Sequence, residues 1–318
     1  MINDMSSNSN PDSQALLNRI IIDYIKEEKR KRRWRWFMRI IYLLIICFVA
    51  YKLFFGGNEE LGSNVKPHIG LIDLNGELFD TKPANADNFA KGFEMAYKNS
   101  GLKALIIRIN SPGGSPVQAE YMYNTIKYYR TKYPDIKVYA VCADLCASAA
   151  YYVAVAAENI YASPASMIGS IGVLYSGFGF VDVMNKIGVA RRLQTAGINK
   201  GFLDPFSPDT DFQKQKLQTM LDLVHEQFIN RVKEGRGARL HSDNDTFSGL
   251  IWTGEQALPI GLIDGFASGG QLARDVIKID SMIDYTHTQN LFDRVTKNLG
   301  TAMADELPLS LGIKSGLK

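Results

Sequence analysis

Apolar residues along the chain change rhythm twice. Leu16, Leu17, Ile20, Ile21, Tyr24 and Ile25 recur at helical spacing, which predicts a short amphipathic helix near the N-terminus. From Phe37 to Phe55 the apolar positions become nearly continuous over 19 residues, about 28 Å of helix at about 1.5 Å per residue. A polar linker over 56–64 comes next, and folded structure is expected from about Val65. Beyond it, short apolar runs alternate with amphipathic stretches. Strands are expected at His68–Leu74, Ala104–Ile109, Val138–Val141, Asn159–Ala162 and Ile171–Leu174. Helices are expected at Asn85–Asn99, Gln118–Lys132 and from Ala147 onward. Ser207 as cap and Pro208 as first residue predict the start of a long helix, ended by Gly235 and Gly237. Its stripe of Phe212, Leu217, Met220, Leu221, Val224, Phe228 and Val232 is expected to cover the sheet or a neighbouring subunit. Such alternation predicts an α/β domain with a mainly parallel sheet.

Composition changes this picture only through charge. The chain has 318 residues, 46% of them apolar and 22% charged, with a formal charge of +3. Eight basic residues fall between Lys26 and Arg39, opposed there only by Glu27 and Glu28. That segment carries a net +6 and leaves the remainder near −3, so nucleic-acid binding by the main body is not expected. A polybasic run against an apolar stretch of bilayer length reads as a membrane-orientation signal. The expected organisation is a basic cytoplasmic segment over 1–36, with Met1–Asn10 disordered, and one uncleaved transmembrane anchor over 37–55. A folded domain over 65–290 would lie on the periplasmic or extracytoplasmic side of the cytoplasmic membrane, and 291–318 would form a loose tail. A buried helix of a soluble domain fits the apolar stretch less well. A cleaved signal peptide is disfavoured by the long preceding region and the lack of a small-x-small cleavage site.

Cysteine and histidine add little. Cys142 and Cys146 stand four apart in an apolar run, and no further Cys or nearby His completes a metal set, so both read as small buried residues. His225 reads as helix surface or core edge, which leaves a Ser-His-Asp triad open only on spacing.

The chemistry lies elsewhere. Ser148 sits among Ala147, Ala149 and Ala150, small neighbours that let a carbonyl approach its hydroxyl, which needs a base to become a nucleophile. Ser111-Pro112-Gly113-Gly114 lies between an expected strand and helix, where two glycines can present bare N–H groups to an oxyanion. Lys200 comes 52 residues after Ser148, in Asn199-Lys200-Gly201. Read alone, these segments are equally consistent with tight helix packing, an ordinary turn and a surface lysine.

Four segments occur in order: Arg108-Ile109-Asn110-Ser111-Pro112-Gly113-Gly114, Ala147-Ser148-Ala149-Ala150-Tyr151-Tyr152, Gly169-Ser170-Ile171-Gly172-Val173 and Trp252-Thr253-Gly254-Glu255-Gln256-Ala257. Together, over about Val65–Gly270, they resemble the signal peptide peptidase A family of membrane-anchored serine proteases. The resemblance implies a Clp/crotonase-like α/β fold and a Ser-Lys dyad of Ser148 as nucleophile and Lys200 as general base. It implies that Ser170 hydrogen-bonds the lysine amine, and that the oxyanion hole uses the N–H of Gly114, with Ala149 as second donor. Gly113, Ser115, Ile171 and Gly172, within or beside the same motifs, are expected at the substrate. No metal or other cofactor is implied. The implied partners are peptide substrates, remnant signal peptides among them, the membrane, and further copies of the chain in a ring whose neighbours share the dyad. Family members often carry Gly after the nucleophile, where this chain has Ala149-Ala150, a difference that bears on side-chain preference.

Two other classes remain in view. A crotonase-type acyl-CoA enzyme would share the fold but need an acidic acid-base residue. An inactive membrane scaffold would bind peptides without cleaving them.

Overall fold

The computed structural model describes residues 11–55 and 66–288. The expected disordered start, the linker over 56–64 and the tail over 291–318 lie outside the described residues. The chain divides into two units, Met1–Gly62 and Ser63–Lys318.

The first unit is one helix, α1, Pro11–Phe55. The amphipathic segment, the basic run and the apolar stretch are thus a single continuous element rather than a short helix and a separate anchor. Within it, Tyr24–Tyr51 meets the length and mean hydropathy (1.6) of a membrane span.

The second unit is built on an eight-stranded sheet. Its elements run β1 (His68–Asn75), α2 (Ala86–Lys98), β2 (Leu102–Ser111), α3 (Pro116–Lys132), β3 (Lys137–Ala147) and α4 (Ala149–Ala154). They continue through β4 (Asn159–Ala162), β5 (Met167–Gly169), α5 (Val181–Lys186), α6 (Asp211–Arg236), β6 (Ile251–Thr253), α7 (Gly254–Ala257), β7 (Gly265–Phe266) and β8 (Met282–Asp284). The sheet order is β6-β5-β3-β2-β1-β8, with β4 branching from β3 and carrying β7. Every pairing is parallel except β5 with β6. The α/β expectation holds.

The two-residue period of the strands decides the core. In β2, Leu105, Ile107 and Ile109 enter the main cluster with Phe93 of α2, Ile126 of α3 and Val153 of α4. Ile106 joins Ile69 and Val141 in a smaller cluster that includes Leu272. Alternate residues therefore bury on opposite faces, as a covered parallel sheet requires.

Helix ends obey capping chemistry. Asn85 accepts from Asn88 N–H and Ser115 from Gln118 N–H, setting the starts of α2 and α3. The long helix begins later than expected: Thr210, in a reciprocal box with Gln213, caps it. Ser207 is engaged elsewhere, donating its hydroxyl to Asp204 at 2.7 Å. Gly237, at φ +55, ends α6. Gly235 lies inside it, where an added Cβ would collide with the Val155 carbonyl, so it serves close packing rather than termination. Only the C-terminal half of the apolar stripe is covered: Phe228 and Val232 are buried, whereas Phe212 and Met220 are exposed.

The strand expected at Ile171–Leu174 does not form. The chain leaves the sheet at Gly169 (φ +102) and Ser170 (φ +51). Ile171 turns into the core, while Leu174 is 83% exposed.

Candidate active site

The site gathers where β2 and β3 end. The two strands are in register from Ala104/Lys137 to Ile109/Cys142, then slip, so that Ser111 pairs with Cys146. Residues 143–145 of β3 stand opposite the single Asn110 of β2, which accepts from Leu145 N–H and donates to Asp144, both at 3.2 Å. A bulge of this kind bends a strand and re-aims the residues beyond it. Here the first residue beyond the strand is Ser148.

Ser148 has φ +54 and ψ −128, an unfavourable conformation for a residue with a side chain. It is fixed from both directions: its N–H donates to the Gly169 carbonyl at 2.8 Å, and its carbonyl accepts from Tyr152 N–H at 3.1 Å. Such strain persists only where the surroundings impose it, and it concentrates at functional sites. Gly113 (φ +100) and Gly114 (φ +149) pass alongside. A Cβ on Gly113 would stand 2.8 Å from Ser148 Cβ and from Ala149 N, and one on Gly114 would strike the Leu78 carbonyl. Leu78 pairs with this turn through the Gly113 carbonyl and the Ser115 N–H, which leaves the Gly114 N–H outside that pairing. Ala149 opens α4, so its N–H is one of the helix's leading donors.

Ser148, Ala149, Gly114, Ser170 and Gly172 all line one cleft of about 790 Å³. Its lining is mostly apolar and includes Phe79, Val117, Tyr121, Leu174, Val224 and Phe228. Ala150 is fully buried and Ala149 nearly so; of the two, it is Ala149 that borders the cleft.

The remaining expected residues are placed differently. Ser115 spends its hydroxyl capping α3. Ile171 is buried, and its carbonyl accepts from His225 Nε2 at 3.0 Å. Lys200 is exposed in a turn, its N–H donating to the Gly197 carbonyl, and it is not among the residues lining the cleft. Some apolar side chains near it in sequence are exposed: Ile198 is 97% exposed, and Ile187 and Leu193 are also exposed.

Two features escape a reading of the sequence. One is His225: a carbonyl only accepts, so Nε2 carries the proton, and α6 thereby holds the segment that bears Ser170. The other is Glu120 at the cleft wall. Its carboxylate accepts from Arg231 (2.7 Å to Nη2), from Asn124 at 3.1 Å and from the Tyr152 hydroxyl. Burial raises its pKa, but these hydrogen bonds outweigh burial and hold it below the usual carboxylate range. Burial and the neighbouring carboxylate push the Tyr152 hydroxyl well up, so it remains a donor. Cys142 and Cys146 are free and buried, as expected, and burial raises the Cys146 thiol. Among the described residues no group of three or more His, Cys, Asp and Glu could hold a metal ion.

Against known proteins, residues 130–278 match Peptidase family S49. The chain is 43% identical over 204 residues to a protein of Brucella abortus named Na(+)/H(+) antiporter NhaA, covering 64% of this chain but 26% of that protein. It is 26% identical to a putative signal peptide peptidase SppA of Enterococcus faecium, covering 67% of this chain and 65% of that one. With Protease 4 of Haemophilus influenzae it shares 28% identity over 64% of this chain and 34% of the relative. The chain thus spans from about a quarter to just under two thirds of these relatives, and a match to a quarter of a protein does not carry that protein's name across. A solved structure, a mutant of the 1510-N membrane-bound stomatin-specific protease, aligns at 17% identity and TM-score 0.42 over 70% of this chain and 96% of that one.

Proposed function

From the match of residues 130–278 to peptidase family S49 and the likeness to SppA and Protease 4, we propose that this chain is a membrane-anchored endopeptidase of the SppA family working through a Ser148–Lys200 dyad. The observation that carries the reading is Ser148 itself: a strained serine at a strand-to-helix turn, facing an apolar cleft, with glycine backbone alongside.

In the proposed reaction, neutral Lys200 Nζ takes the Ser148 hydroxyl proton as Oγ attacks the scissile carbonyl carbon. The C=O pair moves onto oxygen, and the N–H groups of Gly114 and Ala149 stabilise the oxyanion. Collapse breaks the C–N bond, and the lysine ammonium returns its proton to the departing amine. Water then loses a proton to Lys200 and attacks the acyl-serine carbonyl carbon; the C–Oγ bond breaks to release the acid, and the lysine ammonium returns its proton to Ser148 Oγ. Ser170, on the cleft wall, is the residue to hold the amine.

Lys200 stands away from the cleft lining of its own chain, and this supports a dyad shared between subunits. The apolar side chains exposed near it in sequence, Ile198 foremost, suit a subunit interface, and a ring-like homo-oligomer would bring one protomer's lysine to its partner's serine. The apolar cleft suits apolar peptides, remnant signal peptides being the substrate class proposed here. The apolar helix and its basic flank support a cytoplasmic N-terminus with the catalytic domain on the opposite side of the cytoplasmic membrane.

The test is hydrolysis of a fluorogenic apolar peptide by the full chain in detergent, with fluorophosphonate labelling. Ser148→Ala should lose turnover and labelling, and Lys200→Ala should lose turnover while keeping its fold. Mixing the two inactive variants should restore part of the activity if neighbours share the dyad. Full turnover by Lys200→Ala would remove it as the base.

A further inference from the structure

The cleft that takes the apolar peptide contains a carboxylate, and the structure shows why it can still be an apolar site. Glu120 of α3 borders the cleft beside Tyr152, one turn beyond Ser148 on α4. An ionised carboxylate in such a position would ordinarily select a cationic side chain. Here both oxygens are already occupied. Oε1 accepts from Arg231 Nη2 at 2.7 Å and from Asn124 Nδ2 at 3.1 Å, and Oε2 accepts from the Tyr152 hydroxyl and from Arg231 Nε at 3.4 Å.

Arg231 comes from α6, 111 residues away in sequence, and is itself held on three sides. Its Nη1 donates to Glu234 at 3.0 Å, Glu234 pairs with Lys127 at 3.1 Å, and the guanidinium lies 4.8 Å from the centre of the Tyr123 ring. The four charges Glu120, Arg231, Glu234 and Lys127 form a chain of alternating sign and zero sum. Arg231 reaches Glu120 without itself lining the cleft. A guanidinium fork engaging both oxygens is the geometry in which arginine neutralises a carboxylate most completely.

We propose that Arg231 masks Glu120, so that the cleft beside Ser148 accepts an apolar side chain at the residue whose carbonyl is attacked, and that Arg231 is the residue setting this preference against basic side chains. The inference rests on the peptidase reading above and deepens it. Arg231 is a positioning residue: it touches Glu120, not substrate.

The experiment compares matched fluorogenic peptides that differ only in Leu, Phe, Lys or Glu on the acyl side of the scissile bond, using the full chain in detergent. The wild type should cleave the Leu and Phe peptides and discriminate against Lys. Arg231→Gln, which frees the carboxylate while leaving a polar side chain, should raise the Lys-over-Leu ratio of kcat/KM by about tenfold or more. Adding Glu120→Gln to that variant should abolish the gain. An unchanged ratio in an Arg231→Gln protein that still cleaves the Leu peptide would overturn the mask. Should that variant fail to fold, the wild type alone decides: equal cleavage of Lys and Leu peptides refutes the proposal. Cleavage of none of the peptides by wild type would instead count against the peptidase reading, so the two failures are distinguishable.

Discussion

The N–H of Ser148 donates to the carbonyl of Gly169 at 2.8 Å, and both residues have positive φ, +54 and +102. The Ser148 turn and the point where the chain leaves β5 are therefore one strained unit, tied by one hydrogen bond. Displacing either half should move the other. Ser148 N–H is spent on this tie and is not free to donate to a ligand beside Ser148.

That geometry makes Gly113 sensitive to substitution. A methyl group there would lie 2.8 Å from the Ala147 carbonyl, Ala149 N and Ser148 Cβ, in a backbone conformation that side chains resist. Gly113→Ala should lower kcat/KM by on the order of 100-fold, since losing oxyanion donors costs about 3 kcal/mol, with an unchanged far-UV circular dichroism spectrum. Near-wild-type peptide turnover by the variant would show that the turn does not shape the oxyanion site.

Much of this is legible in the sequence, for physical reasons that also mark the limit. The alternation of β1, β2 and β3 with α2 and α3 reflects local periodicity and caps such as Asn85 and Ser115, whose partners lie three residues on. Ser148, Gly113 and Gly114 stand out because small residues near an expected strand end are locally unusual. The strand expected at Ile171–Leu174 is absent because its apolar composition says nothing of the positive φ at Ser170 that turns it out. Ser207 fails as the cap because its competing partner, Asp204, lies upstream of the helix. Arg231 with Glu120 and His225 with Ile171 meet across 111 and 54 residues. No pattern within either segment announces the other.

Arg236 is the buried charge on which the end of α6 depends. It is 1% exposed and donates to Asp264 through both Nη atoms at 2.8 Å and to the Gly261 carbonyl at 2.7 Å. Arg236→Met leaves Asp264 half-buried with only Arg239 as an ionic partner, and should destabilise the domain by about 3–5 kcal/mol. Burial raises the Asp264 pKa, but Arg236 and its hydrogen bonds leave it net lowered. A lowered folded-state pKa stabilises above the unfolded value near 4 and is lost as pH falls through the folded value. Urea melts should thus show wild-type stability falling below about pH 4 more steeply than that of Asp264→Asn; parallel curves would contradict the pairing.

The separation of Met1–Gly62 from the sheet-bearing unit makes anchoring testable without touching the site. Full-length protein should stay with membranes through a carbonate wash and require detergent for extraction. The chain lacking Met1–Gly62 should remain in the supernatant with the same circular dichroism spectrum per residue of the second unit. Release of the full chain by carbonate alone would rule out a spanning helix.

His225 separates a positioning role from a catalytic one. Its Nε2–H supports the Ile171 carbonyl at 3.0 Å, next to Ser170 and Gly172 on the cleft wall. A general base in a Ser-His-Asp arrangement could not be replaced by an amide, whereas a hydrogen-bond donor could. His225→Ala should therefore lower kcat about tenfold, in line with losing one hydrogen bond worth about 1.4 kcal/mol to a buried carbonyl. His225→Gln, which keeps an N–H donor, should recover most of that loss. Because the carbonyl accepts from imidazole and imidazolium alike, the pH–rate profiles of wild type and His225→Gln should superimpose. A Gln variant as inactive as Ser148→Ala would reassign His225 to proton transfer and displace Lys200 from that role.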